Sequence, residues 1–123
     1  TPLGKDWEIY KTDEEPEAGV EFATDVGRID ILAERPGGRR GFLVVELKKD
    51  QSTDATFGQV LRYVGWVKEH LATNGETVEA LIIARKADRA SMYAAAAAPM
   101  VSVMTYEVDF RLERKQIGAA ARG

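Results

Sequence analysis

Two runs of strand-forming residues joined by a glycine-rich turn constrain this chain more than any other feature. Val26–Glu34 (VGRIDILAE) and Phe42–Lys48 (FLVVELK) flank RPGGRRG, where Pro and Gly supply the dihedrals of a tight reversal. This arrangement predicts a β-hairpin. With the turn centred near Gly38, residues whose numbers add to about 76 face one another across the two strands. Asp30 then stands opposite Glu46, and Arg28 opposite Lys48. Directly opposed Cβ atoms lie roughly 4.5–5.5 Å apart, a separation at which like charges repel.

Strand alternation divides the hairpin into two faces. Ile29, Ile31, Ala33, Leu43, Val45 and Leu47 make one apolar face. Leu32, Phe42 and Val44 share the other with the four charges, which gather at one end. Two readings fit. One is a salt-bridge quartet at an exposed sheet end, Arg28 with Glu46 and Asp30 with Lys48, worth little to stability. The other is a site in which Asp30 and Glu46 converge on a hard divalent cation, such as Mg²⁺. Such ions take oxygen ligands, typically one or two carboxylates completed by water and phosphate. A cation would cancel the repulsion, and Lys48 could then stabilise charge on a phosphate or help activate an attacking water.

The rest of the chain reads as one α/β domain in βββαβαβ order with a mixed sheet. Residues 1–18 form a polar, acidic lead-in, irregular or partly stranded, with Trp7 and Ile9 as anchors. Gly19–Ala23 reads as a short strand. From Asp54 to Ala72 the period becomes helical, with Ser52, Thr53 and Asp54 offered as N-caps. Phe57, Val60, Leu61, Val64, Val67 and Leu71 form its apolar stripe. Gln59, Tyr63, Trp66 and His70 form a second stripe opposite, so Gln59 reaches the charged end of the hairpin only if the helix starts close to Glu46. A strand over VEALIIA, a helix over Lys86–Ala97 and a strand over VSVMTYEV follow. Residues 113–123 read as a flexible tail.

Composition removes several functional classes. The chain has 123 residues, no cysteine and a single histidine, which excludes disulfide frameworks and thiolate metal sites and disfavours a Ser/His triad or a zinc hydrolase. No apolar run approaches the roughly 20 residues of a membrane-spanning helix. A cytoplasmic setting is expected, with no membrane partner. The formal charge of −3 requires any contact with nucleic acid to be local or helped by a bound cation.

Asp30, then Glu46-Leu47-Lys48 one hairpin later, resembles the PD-(D/E)XK nuclease motif. In the next helix, Gln59 and Tyr63 match the Gln-x-x-x-Tyr signature of its RecB-like branch. More closely, TDVGRIDILA, VVELKK, GQVLRYVGWVKEHLA, LIIAR and VSVMTYEVDFRL resemble the nuclease domain of the NucS family of DNA endonucleases, over residues 19–112. The resemblance implies a restriction-endonuclease-like fold and Mg²⁺- or Mn²⁺-dependent hydrolysis of DNA phosphodiesters, on branched, single-stranded or mismatched DNA. It implies Asp30, Glu46 and the Leu47 carbonyl as metal ligands and Lys48 as the catalytic lysine. Gln59 and Tyr63 would organise the site or the DNA. Members of the family carry a separate N-terminal domain for DNA binding and dimerisation, so the resemblance also implies a homodimer formed outside this segment. The fold usually begins with a helix bearing an acidic residue; here Glu21 is the nearest acid to the site. A catalytically degenerate module that only binds DNA or protein is the alternative.

Arg28, Lys49 and Arg62 are the expected DNA contacts. Arg85, Lys86 and Arg89 read as scattered cations available to phosphate. His70, near a helix end, reads as solvent-exposed or as a partner of the helix dipole.

Overall fold

The computed structural model describes residues 6–36, 41–49 and 52–115. The centre of the turn near Gly38, the start of the lead-in and the end of the tail lie outside the described residues. Strands β1 (Glu8–Ile9), β2 (Val20–Thr24), β3 (Gly27–Glu34) and β4 (Gly41–Leu47) come first. Helix α1 (Thr53–His70), β5 (Thr77–Ala84), α2 (Arg89–Ala97) and β6 (Val101–Thr105) follow. They build a six-stranded sheet in the order β1-β3-β4-β5-β6, with β2 also paired to β3. The expected order holds, with a two-residue strand added in the lead-in.

The hairpin has the register expected of a turn centred on Gly38: Ile31 pairs with Val45 and Glu34 with Phe42. β1 and β2 lie end to end along the outer edge of β3. Between them, Leu32 bonds to both Tyr10 and Gly19 through its backbone, which bridges the two short strands. β4, β5 and β6 are parallel, so the chain crosses over twice through helices, as parallel pairing requires.

Both helices cover one face. Phe57, Val60, Tyr63, Val64 and Val67 of α1 pack on Leu32, Phe42, Val44, Val78 and Ile82, and the alanines of α2 close the layer over Val101. A smaller cluster of Ala33, Leu43, Val45 and Leu81 occupies the other face, with Trp7, Ile31 and Ile83 against it. Arg35 stacks over the Trp7 ring at 4.3 Å. Among the described residues no helix is long and apolar enough to cross a membrane.

The faces expected from sequence fail at three places, two in strands and one in a helix. Ile29 lies beneath α1 with Leu32 and Val44, not with Ile31 and Ala33. The β3–β4 ladder ends at the Ile31–Val45 pair, so a face counted through the ladder does not carry past Asp30. Leu47, expected on an apolar face, is exposed, because β4 ends there. In α1, Tyr63 is buried in the core and Leu61 is exposed. The ring carries far more apolar area than its hydroxyl loses in polar contacts, and that hydroxyl finds partners. The second helix begins at Arg89, three residues later than expected, since Asp88 caps it by accepting from the Ser91 amide at 2.7 Å. The last strand stops at Thr105.

Candidate active site

The β3–β4 ladder opens where the two carboxylates meet. Beyond Ile31–Val45 the strands exchange side chain-to-backbone bonds. The Asp30 amide donates to Glu46 Oε1 at 2.8 Å, and the Leu47 amide donates to Asp30 Oδ2 at 2.9 Å. One oxygen of each carboxylate is thus fixed by a neighbouring amide, a charge-assisted bond stronger than a neutral one. A cleft of about 410 Å³ opens there, lined by Asp30, Glu46, Leu47, Lys49, Gln59 and Tyr63. Arg28 and Glu21 also border it.

Glu46 is 3% exposed. Burial is the main reason its carboxyl is pushed up from 4.5 to about 7. The Asp30 amide opposes the shift, the Asp30 charge adds to it, and Lys49 opposes it weakly. A carboxylate held this way is poorly solvated and faces a like charge, an environment that a cation relieves. Among the described residues no three or more acidic or histidine side chains gather as a metal cage. Two carboxylates are a donor set that a hard divalent cation accepts when other oxygen ligands fill its remaining positions.

Gln59 and Tyr63 do reach this end of the hairpin. Tyr63 donates its hydroxyl proton to the Arg28 carbonyl at 3.0 Å and accepts from Gln59 Nε2 at 3.1 Å. α1 therefore fixes the backbone two residues before Asp30. Trp66 extends the clamp, donating to Asp25 Oδ1 at 2.6 Å. Tyr63→Phe is expected to cost about 1–2 kcal/mol in urea-induced unfolding, since a part-buried carbonyl loses its donor. An unchanged midpoint would show that the bond adds nothing. His70 is exposed in the last turn of α1, stacked on Trp66 at 4.3 Å and remote from the cleft residues in its contacts.

Lys48 takes another direction. Its Nζ lies 3.5 Å from Asp88 Oδ2 and donates to the Thr53 hydroxyl at 3.2 Å. Thr53 in turn donates to Asp88 at 3.0 Å. Hydrogen bonds from Ser91, then from Thr53, with the Lys48 charge, hold the Asp88 carboxyl far below the usual range. The salt-bridge quartet is not formed among the described residues: Lys48 is ion-paired with Asp88 rather than Asp30, and Lys49 takes its place 3.9 Å from Asp30. The physical reason is the strand end. β4 stops at Leu47, and the Lys48 amide bonds to the Ile83 carbonyl, so Lys48 follows β5 rather than β3. Arg62 is exposed on α1 and does not line the cleft.

Glu21 stands across β3 from Asp30, between the Val20–Ile31 and Phe22–Ile29 pairs, with a φ of +49°. A non-glycine residue in this region carries local strain, and such residues gather at functional sites. Asp88 and Thr53 were not singled out from sequence as site residues. The available signal was the Asp-x-x-Ser cap at the start of α2.

This is a restriction-endonuclease-like α/β fold, with the hairpin carboxylates at the point where its strands separate. The solved structure of a repair endonuclease from Pyrococcus abyssi resembles it with a TM-score of 0.57 and 20% identity, over 80% of this chain and 37% of that one. The chain thus spans little more than a third of that protein's length. No family model and no curated protein matches the sequence.

Proposed function

We propose that this chain is the catalytic domain of a metal-dependent DNA endonuclease. One observation carries the reading: Asp30 and Glu46, from adjacent strands, meet in a cleft where the ladder opens and amides fix one oxygen of each. Asp30, Glu46 and the Leu47 carbonyl would hold Mg²⁺ or Mn²⁺. When bound, such an ion polarises a phosphoryl oxygen and lowers the pKa of water. The chain's own residues do the rest. Lys49, at the cleft rim, attracts the phosphate. Lys48 must turn from Asp88 toward the cleft to stabilise the developing charge or orient the attacking water. Tyr63, held in turn by Gln59, holds the Arg28 carbonyl, and through it the approach to Asp30.

The similar repair endonuclease supports a nuclease role, and the sequence resemblance favours branched, single-stranded or mismatched DNA as substrate. The test is incubation with each of these DNAs in Mg²⁺, Mn²⁺ or EDTA. Cleavage is expected only with metal, and is expected to be lost in Asp30→Asn and Lys48→Ala. Metal-free cleavage, or unaltered cleavage in both variants, would sink the mechanism. The degenerate binding module has one observation in its favour, the engagement of Lys48 by Asp88 and Thr53. Binding of DNA with no cleavage of any substrate under either metal would favour it.

A further inference from the structure

Four of the chain's 17 lysines and arginines, two adjacent pairs far apart in sequence, gather at one place beside the carboxylate cleft. Because β4 and β5 are parallel, with Leu47 beside Ile83, their C-terminal ends emerge side by side. The segments that follow bring Lys48 and Lys49 against Arg85 and Lys86 around a groove of about 580 Å³. Asp88 is the one acidic lining residue among the described residues, and its charge is engaged by Lys48, Thr53 and Ser91. Arg85 and Lys86 are exposed and form no ion pair among the described residues. In a chain of net charge −3, this concentration of positive charge selects an anionic partner.

We propose that the groove binds the phosphodiester backbone of the DNA strand whose scissile phosphate enters the Asp30/Glu46 cleft. The assignment rests on the nuclease reading for the identity of the polyanion, and on continuity for its path. Lys49 lines both the cleft and the groove, so a strand leaving the carboxylates passes directly over it to Arg85 and Lys86. Phosphates held there would fix the register of the strand without reading its bases. The acidic cleft alone would repel DNA; the adjoining groove supplies the attraction.

The test measures binding in EDTA, where cleavage plays no part. Anisotropy of a labelled single-stranded oligonucleotide is followed from 50 to 200 mM salt for the 123-residue chain and two double variants. Arg85→Ala/Lys86→Ala is expected to weaken binding about tenfold and to flatten the salt dependence by roughly 0.7 for each phosphate no longer neutralised. Lys11→Ala/Lys68→Ala removes the same charge away from the groove and is expected to leave both nearly unchanged. Equal weakening in the two pairs, or an unchanged slope in the first, overturns the proposal. Competition by oligoglutamate as strong as by unlabelled DNA also overturns it, in favour of an acidic protein partner. The two readings fail separately. Groove-dependent binding without cleavage under any metal sinks only the nuclease, and metal-dependent cleavage with unchanged binding in the first pair sinks only the groove.

Discussion

Glu46→Gln is expected to remove metal-dependent cleavage and, at the same time, to make the metal-free protein more stable above neutral pH. The first effect follows from the loss of one of only two cleft carboxylates proposed as ligands. A fall on the order of 10³-fold corresponds to about 4 kcal/mol of transition-state stabilisation. The second follows from linkage. The Glu46 carboxyl is raised to about 7 in the folded chain, against an ordinary value near 4.5. Between those values the folded state holds the proton and the unfolded state does not, so stability falls as pH rises. A displacement of this size is worth about 3 kcal/mol in all, fully present below pH 4.5 and gone above pH 7. Glutamine carries no such titration, and its side-chain oxygen can still accept from the Asp30 amide. Urea unfolding in EDTA from pH 4 to 8 checks the sign: the wild type should lose stability across this range more steeply than the variant. Added Mn²⁺ should raise the wild-type midpoint at pH 8, because a ligand that binds only the folded state stabilises it, and should leave the variant's unmoved. Parallel pH profiles, or a variant that still cleaves at the wild-type rate, would remove Glu46 from the site.

Gly27→Ala is expected to cost about 2–4 kcal/mol and to reduce cleavage further than the lost stability explains. Gly27 has φ +135°, and a Cβ there would sit 2.5 Å from the Tyr63 hydroxyl and 3.3 Å from its ring. Alanine therefore meets both backbone strain and a buried aromatic ring. Displacing Tyr63 releases the Arg28 carbonyl, and with it the start of β3. Gly75→Ala separates the two contributions: its φ is +82°, but nothing lies within 4 Å of the added methyl. That control should cost about 1 kcal/mol from strain alone. Equal costs at the two positions would show that Tyr63 moves aside freely.

The hairpin and its register were legible because they depend on neighbours in sequence: a turn near Gly38, two apolar runs, and charges placed across from one another. The order of the helices and parallel strands was legible from the change of period after Ser52. Tertiary choices were not. Tyr63 matched a motif whose stripe pointed away from the apolar one, yet the core takes the ring and leaves Leu61 in solvent. Ile29 changes layer where the ladder opens, an event written in the Asp30 and Glu46 bonds rather than in the alternation of the strand. The partner of Lys48 lies on the next crossover, and Arg85 and Lys86 look scattered until parallel pairing of β4 with β5 brings them to Lys49.

The arrangement around the cleft separates what is held from what can swing. Although β3 and β4 part at the carboxylates, each is braced from its outer side. β2 pairs with β3 on both sides of Asp30, and β5 pairs with β4 through Glu46 and Leu47. The oxygens proposed to meet a cation therefore sit on an anchored frame, which would spare the proposed reaction the cost of reorganising dipoles at the moment charge develops. Lys48 and Lys49 lie one step past that frame, on long side chains whose contacts are exchangeable hydrogen bonds and ion pairs. Any rearrangement that accompanies the proposed cleavage would then fall to the lysines, while the two acids stay still.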